Sequence, residues 1–118
     1  MTREETLRRI EEIGVVPVVR ASSEDEAMQA IEAIREGGID VLEITMTVPG
    51  AIDVIAAVSK QYGDKVVVGA GTVLDPETAQ KCIDAGAVFV VSPALNVDTI
   101  AACRKIDIPI MPGALSPT

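Results

Sequence analysis

The sequence predicts an α/β protein assembled from parallel β/α units, and three observations carry that prediction. Short runs rich in Val and Ile recur about every 20 to 25 residues along the chain. Between them lie amphipathic segments with helix-type caps and stops. The C-terminal ends of the apolar runs carry polar or special residues: Arg20, Glu43 with Thr45, Gly71-Thr72, Ser92-Pro93 and Gly113. Strict alternation implies right-handed βαβ crossovers and therefore a parallel sheet. Two architectures fit. A chain of 118 residues suits an open, doubly wound, flavodoxin-like sheet, since a closed TIM (β/α)8 barrel takes about 200 residues or more. The ring of polar strand ends suits a barrel, whose catalytic face is built that way.

Taken in order, residues 3 to 13 place Leu7, Ile10 and Ile13 along one side of a charged lead-in helix that stops at Gly14. Val15 to Arg20 read as a buried strand, with Pro17 among its first residues or at an unpaired point of the ladder. Ser23 and Glu26 form a capping box for a helix carrying Ala27, Ala30, Ile31 and Ile34. Val41 to Met46 form the second strand. Pro49 is expected to start a helix through Ile52, Ile55, Ala56 and Val58. Val66 to Thr72 form the third strand, followed by Asp75-Pro76 as cap and first turn of a helix to Gly86. Val88 to Pro93 are the fourth strand, Asn96 caps a helix through Ile100 and Cys103, and Ile108 to Gly113 are the fifth.

Composition narrows the function. The net charge is -8, with no block of Lys or Arg, so neither nucleic acid nor an anionic membrane is an expected partner. No apolar run approaches about 18 residues and the N-terminus is charged, so the cytoplasm is the expected location. Cys82 and Cys103 lack CxxC spacing, and the chain has no histidine; they read as buried thiols rather than a disulfide or a zinc site. Acid/base chemistry must then come from a carboxylate, lysine or tyrosine.

Glu43 is the focus of that chemistry. Period-two alternation puts Leu42, Ile44 and Met46 on one face of the second strand, and Val41, Glu43 and Thr45 on the other, which is expected to be wet or reactive. A carboxylate in so apolar a run is costly to bury without a partner. Gly69-Ala70-Gly71 is not GxGxxG, and the next helix cap lies four residues on, so close packing or close ligand approach explains it better than dinucleotide binding.

Four segments in order, Val41-Leu42-Glu43-Ile44-Thr45, Gly69-Ala70-Gly71-Thr72-Val73-Leu74, Phe89-Val90-Val91-Ser92-Pro93 and Ile110-Met111-Pro112-Gly113, carry a resemblance, with Pro17 and Arg20 before them. The chain resembles the 2-keto-3-deoxy-6-phosphogluconate (KDPG) and 4-hydroxy-2-oxoglutarate (KHG) aldolases. These are class I aldolases on a (β/α)8 barrel. The resemblance implies one partial TIM-barrel domain over residues 1–118, truncated after the fifth strand, with a lead-in helix and then five strands alternating with four helices. It implies cleavage of a 2-keto-4-hydroxy acid to pyruvate and an aldehyde, with no cofactor, and a homo-oligomer. By place in the motif, Glu43 is similar to the family's proton shuttle. Thr72 matches the residue that binds the pyruvate carboxylate, Arg20 faces the anionic substrate, and Pro93 lines the wall. Thr47 stands where some members that prefer the phosphorylated sugar acid carry arginine, which leaves that choice open.

The family's Schiff-base lysine is expected about 20 residues beyond the fifth strand, on the sixth, past Thr118. Lys60, Lys65, Lys81 and Lys105 fall on helices or at a strand start, the stability end of a barrel. The 118 residues alone are therefore expected to lack aldolase activity. The competing reading is a non-catalytic half-barrel that self-associates at its open edges or rearranges to a flavodoxin-like sheet. A third, a phosphate-binding epimerase-type barrel, lacks the combination of Glu43 with Gly71-Thr72.

Overall fold

The computed structural model describes residues 1–118 as five parallel strands and five α-helices. Helix α1 (Arg3–Ile13) leads into β1 (Val18–Val19), α2 (Glu24–Glu36), β2 (Val41–Thr45), α3 (Ala51–Tyr62), β3 (Val67–Gly71), α4 (Pro76–Ala85), β4 (Phe89–Ser92), α5 (Val97–Lys105) and β5 (Ile110–Pro112). One short 3-10 turn, Gly63–Lys65, joins α3 to β3.

Strand order decides between the two architectures. The sheet runs β1-β2-β3-β4-β5, each strand parallel to the next. With every crossover of one hand, a monotonic order puts all the crossover helices on one face, which is an arc of a (β/α)8 barrel. A flavodoxin-like sheet reverses order part-way and covers both faces. That alternative is not what the chain forms.

Two cores result. Leu42 and Ile44 of β2, Val68 and Ala70 of β3, and Val90 of β4 pack under α2 to α5 through Ile31, Ile55, Val58, Ala79 and Cys103. On the other face, Val41, Val67 and Phe89 form a smaller buried cluster, closed from below by Ile10 and Ile13 of α1. The lead-in helix thus plugs the N-terminal end of the arc. Its own ends are well made: Thr2 and Glu5 form a reciprocal capping box, and Gly14 takes a left-handed cap (φ 76).

Several local expectations change. The stretch before Arg20 is paired only over Val18–Val19, and Val18 is 47% exposed, because β1 is an edge with one neighbour. Pro17 contributes where it can: its carbonyl accepts from the Glu43 N–H at 2.9 Å. Ser23 caps α2 by accepting from Glu26 N–H, but the Glu26 carboxylate turns to the Ser22 N–H and hydroxyl instead of closing the box. Pro49 lies in the turn ahead of α3, which begins at Ala51 behind Gly50 in a left-handed cap (φ 68). Along α3, Ala51, Val54, Ile55 and Val58 are buried and Ala56 is exposed. Cys82 and Cys103 are buried free thiols, and burial pushes the Cys82 thiol up to about 11. No helix is long and apolar enough to cross a membrane.

Candidate active site

Chain direction places the C-terminal ends of β2, β3 and β4 side by side. The register sets Glu43 beside Gly69 and Thr45 beside Gly71, and pairs Gly69 with Phe89 on the far side. On this face, opposite the crossover helices, Val41 is fully buried, Glu43 half-buried and Thr45 buried again. The Glu43 face is therefore oily at its base and polar only near its top, not wet throughout. The reason is α1, whose Ile10 and Ile13 exclude water from the lower end.

The two glycines clear the space in which the other groups stand. A methyl group on Gly69 would run into the end of the Phe89 ring, and one on Gly71 would occupy the position of a Glu43 carboxylate oxygen. Glu43 thus crosses the β3 backbone where no side chain blocks it. Burial raises its carboxyl above the ordinary value, and the positive charge of Arg20 partly opposes this. Arg20 itself is exposed, just past the end of β1.

Beyond the carboxylate lies a row of hydroxyls. Thr45 Oγ1 stands 2.9 Å from Thr72 Oγ1 and 3.1 Å from Thr47 Oγ1, and the Thr47 N–H reaches it at 3.4 Å. Thr72 has φ 58, a left-handed conformation unfavourable to a β-branched residue. Thr47 and Pro93 are exposed at the rim. Gly113 at the end of β5 donates its N–H to Ser92 O at 2.8 Å and packs against the Pro93 carbonyl so closely that a side chain would collide with it. The structure brings Glu43 and Thr72 to neighbouring strand ends, sets Arg20 and Pro93 on flanking strands, and adds Thr45. The sequence marks Thr45 only as a strand-end polar residue, because its central place arises from a tertiary contact across 27 positions.

The lysines lie elsewhere. Lys60, Lys81 and Lys105 are on α3, α4 and α5, and Lys65 is in the turn before β3. None stands at a strand's C-terminal end.

A model of KDPG and KHG aldolases matches residues 6–118. The chain belongs to the KDPG and KHG aldolase family. It is 40% identical over 109 residues to a 2-dehydro-3-deoxy-phosphogluconate aldolase of Treponema pallidum, covering 92% of this chain and 51% of that protein. It is 37% identical over 99 residues to the KHG/KDPG aldolase of Escherichia coli, covering 84% and 46%. Among solved structures, the KDPG aldolase of Zymomonas mobilis ZM4 with 3-phosphoglycerate superposes with a TM-score of 0.81 at 30% identity, covering 94% of this chain and 52% of that one. The KDPG aldolase of Legionella pneumophila, with pyruvate captured as a covalent carbinolamine, gives 0.79 at 35% identity, covering 86% and 48%. The chain thus spans about half the length of the aldolases it matches.

Gly71 leaves room for the Glu43 carboxylate, and a substitution there has a predictable result. Gly71→Ala puts a methyl group on the Glu43 carboxylate, the movable end of a flexible side chain. Unfolding in urea is expected to change by less than about 1 kcal/mol, because the carboxylate can swing toward solvent. Glu43 titration, followed by carboxyl 13C shift, is expected to return toward the ordinary carboxylate range. An unmoved titration would show that the glycine does not define the pocket.

Proposed function

We propose that residues 1–118 supply the proton-transfer and carboxylate-binding part of a Schiff-base aldolase that cleaves a 2-keto-4-hydroxy acid to pyruvate and an aldehyde. The observation that carries this is Glu43, a carboxyl with a raised pKa held over Gly71, the residue that precedes Thr72 at the end of β3. In such a reaction a lysine amine adds to the keto carbon, water leaves, and the protonated imine accepts the electron pair released as the C3–C4 bond breaks. Protons must reach and leave the carbinolamine oxygen and the enamine carbon, and a base must take the C4 hydroxyl proton as the aldehyde forms. A half-buried carboxyl suits that exchange, since burial brings its pKa toward the working pH.

In this reading Thr72 donates to the substrate carboxylate, Arg20 attracts the anion and tempers Glu43, and Pro93 forms the wall. Thr47 places a neutral hydroxyl at the rim, which leaves KDPG and KHG both as candidate substrates. The amine comes from outside these 118 residues, because their lysines lie on helices or at the opposite end of the sheet. The relatives' names support the chemistry, and the Legionella structure holds the kind of adduct the mechanism requires.

A second reading, self-association of the arc, has its own observation. Both β1 and β5 have one neighbour, and Val18, Leu95, Val97 and Leu115 are exposed. Edges and apolar patches of this kind favour pairing with another chain. One similar solved structure is a porous cage designed by fusing symmetric oligomeric domains.

Mass spectrometry tests both readings. After incubation with pyruvate and borohydride, residues 1–118 alone are expected to show no pyruvyl adduct. The same residues joined to the remaining half of the Treponema aldolase are expected to gain one. An adduct on the short chain would mean that one of its lysines reaches the site. No adduct or turnover from the joined protein would overturn the aldolase reading. Native mass of the short chain is expected above the monomer, and a strictly monomeric mass would reject self-association.

A further inference from the structure

We infer that Thr45 is a positioning residue whose buried hydroxyl fixes the direction of the Thr72 hydroxyl, so that Thr72 presents its proton to a carboxylate ligand. The inference rests on the proposed role of Thr72 and deepens it. A threonine hydroxyl has one proton and two lone pairs. Thr45 Oγ1 has three neighbours: the Thr47 N–H at 3.4 Å, Thr47 Oγ1 at 3.1 Å and Thr72 Oγ1 at 2.9 Å. The N–H can only donate, so it takes one lone pair. One lone pair and one proton remain for two hydroxyls.

A ligand carboxylate resolves the direction. An ionised carboxylate only accepts, so Thr72 must donate to it, which leaves a Thr72 lone pair for the Thr45 proton. Thr45 then accepts from the Thr47 hydroxyl, and every site on its oxygen is used. The protons run one way, from Thr47 to Thr45 to Thr72 to the ligand. Alignment of this kind polarises each bond in turn.

Backbone geometry holds the end of the chain in place. Thr72 keeps its left-handed φ of 58 because both flanks are tied: Met46 N–H donates to Gly71 O at 2.9 Å, and Val73 N–H donates to Val91 O at 3.2 Å. A strained residue fixed from both sides is a common feature of ligand-binding turns. Thr45 is 1% exposed, so water does not compete for its hydroxyl.

The test uses the 118-residue chain. Three-bond couplings to the Thr72 methyl carbon report its χ1 rotamer, and an NMR titration with pyruvate reports affinity. Thr45→Val keeps the shape and removes the hydroxyl; it is expected to leave Thr72 averaging over rotamers. Pyruvate binding is expected to weaken about fivefold to tenfold, the effect of one oriented hydrogen bond. Thr45→Ser restores the hydroxyl and is expected to restore both readouts, which a role confined to packing would not produce. An unchanged Thr72 rotamer in Thr45→Val overturns the positioning role whatever happens to pyruvate. A loosened rotamer in the variant, with no saturable pyruvate response in the unaltered chain, supports the Thr45 contact and overturns carboxylate binding by Thr72. If Thr45→Val fails to fold, the unaltered chain still decides the matter. A slowly exchanging Thr45 hydroxyl proton with a cross-peak to Thr72 supports the inference, and one exchanging as fast as that of exposed Ser116 overturns it.

Discussion

Replacing Glu43 by glutamine in a complete barrel is expected to lower retro-aldol turnover by about 10² to 10⁴, the range over which positioned acid/base groups act. The substitution keeps the shape of the side chain and its place over Gly71 but removes the proton it exchanges. Substrate binding is expected to hold, because Thr72 and Arg20 are untouched. Steady-state kinetics check this: the loss should appear in kcat with little change in KM. Retention of more than about a tenth of the wild-type kcat would assign proton transfer to another group.

Stability should move the other way. The Glu43 carboxyl is raised in the folded chain, by burial first, with Arg20 opposing. A carboxyl with a higher pKa folded than unfolded binds more protons in the folded state between the two values. The folded state therefore loses stability as pH rises from the ordinary carboxylate range through the folded pKa. Glutamine has no proton to lose. Denaturant midpoints of the variant are expected to lack that decline and to lie at or above wild type at neutral pH. A lower midpoint at neutral pH would show that the carboxylate is stabilised by a contact stronger than its burial cost. Loss of catalysis with no loss of stability marks a group kept for chemistry.

How far the sequence reveals this site depends on the range of the interactions involved. Helix starts at Ser23, Asp75 and Asn96 are legible because a cap is a contact over three residues, and each side chain accepts from the expected N–H. The start of α3 is not, because Pro49 is followed by Gly50 in a left-handed turn that sets the helix entry two residues later, at Ala51. The extent of β1 was not, because strand length depends on partners and β1 has one. Glu43 stood out as a charge in an apolar run, and Thr72 through its resemblance to a family motif. The reason for Gly69 and Gly71 became visible only with the register, which sets one against Phe89 and leaves the other beneath the Glu43 carboxylate.

Gly69→Ala is expected to cost about 3 kcal/mol of folding stability, at the upper end of the usual range for overpacking. Gly69 and Gly71 both clear space, but for different neighbours. Opposite Gly71 is a carboxylate that can swing away; opposite Gly69 is the end of a rigid ring that is fully buried. The Phe89 ring has no free direction, since Val41 and Val67 flank it and Ile10 and Ile13 of α1 close the cluster. Accommodation requires either β3 to move from β4 or α1 to lift, and both expose apolar surface. Because a domain of this size has about 5 to 15 kcal/mol in total, the variant should unfold at a much lower urea concentration. Phe89→Leu removes the ring that the new methyl group meets, so the double variant should be more stable than the sum of the two single changes predicts. Neighbouring sites of this kind couple by about 0.5 to 3 kcal/mol. Strict additivity, or a cost of Gly69→Ala below about 1 kcal/mol, would mean that α1 is a loose plug. The floor beneath Glu43 would then be open to water, and the burial that raises its carboxyl would need another source.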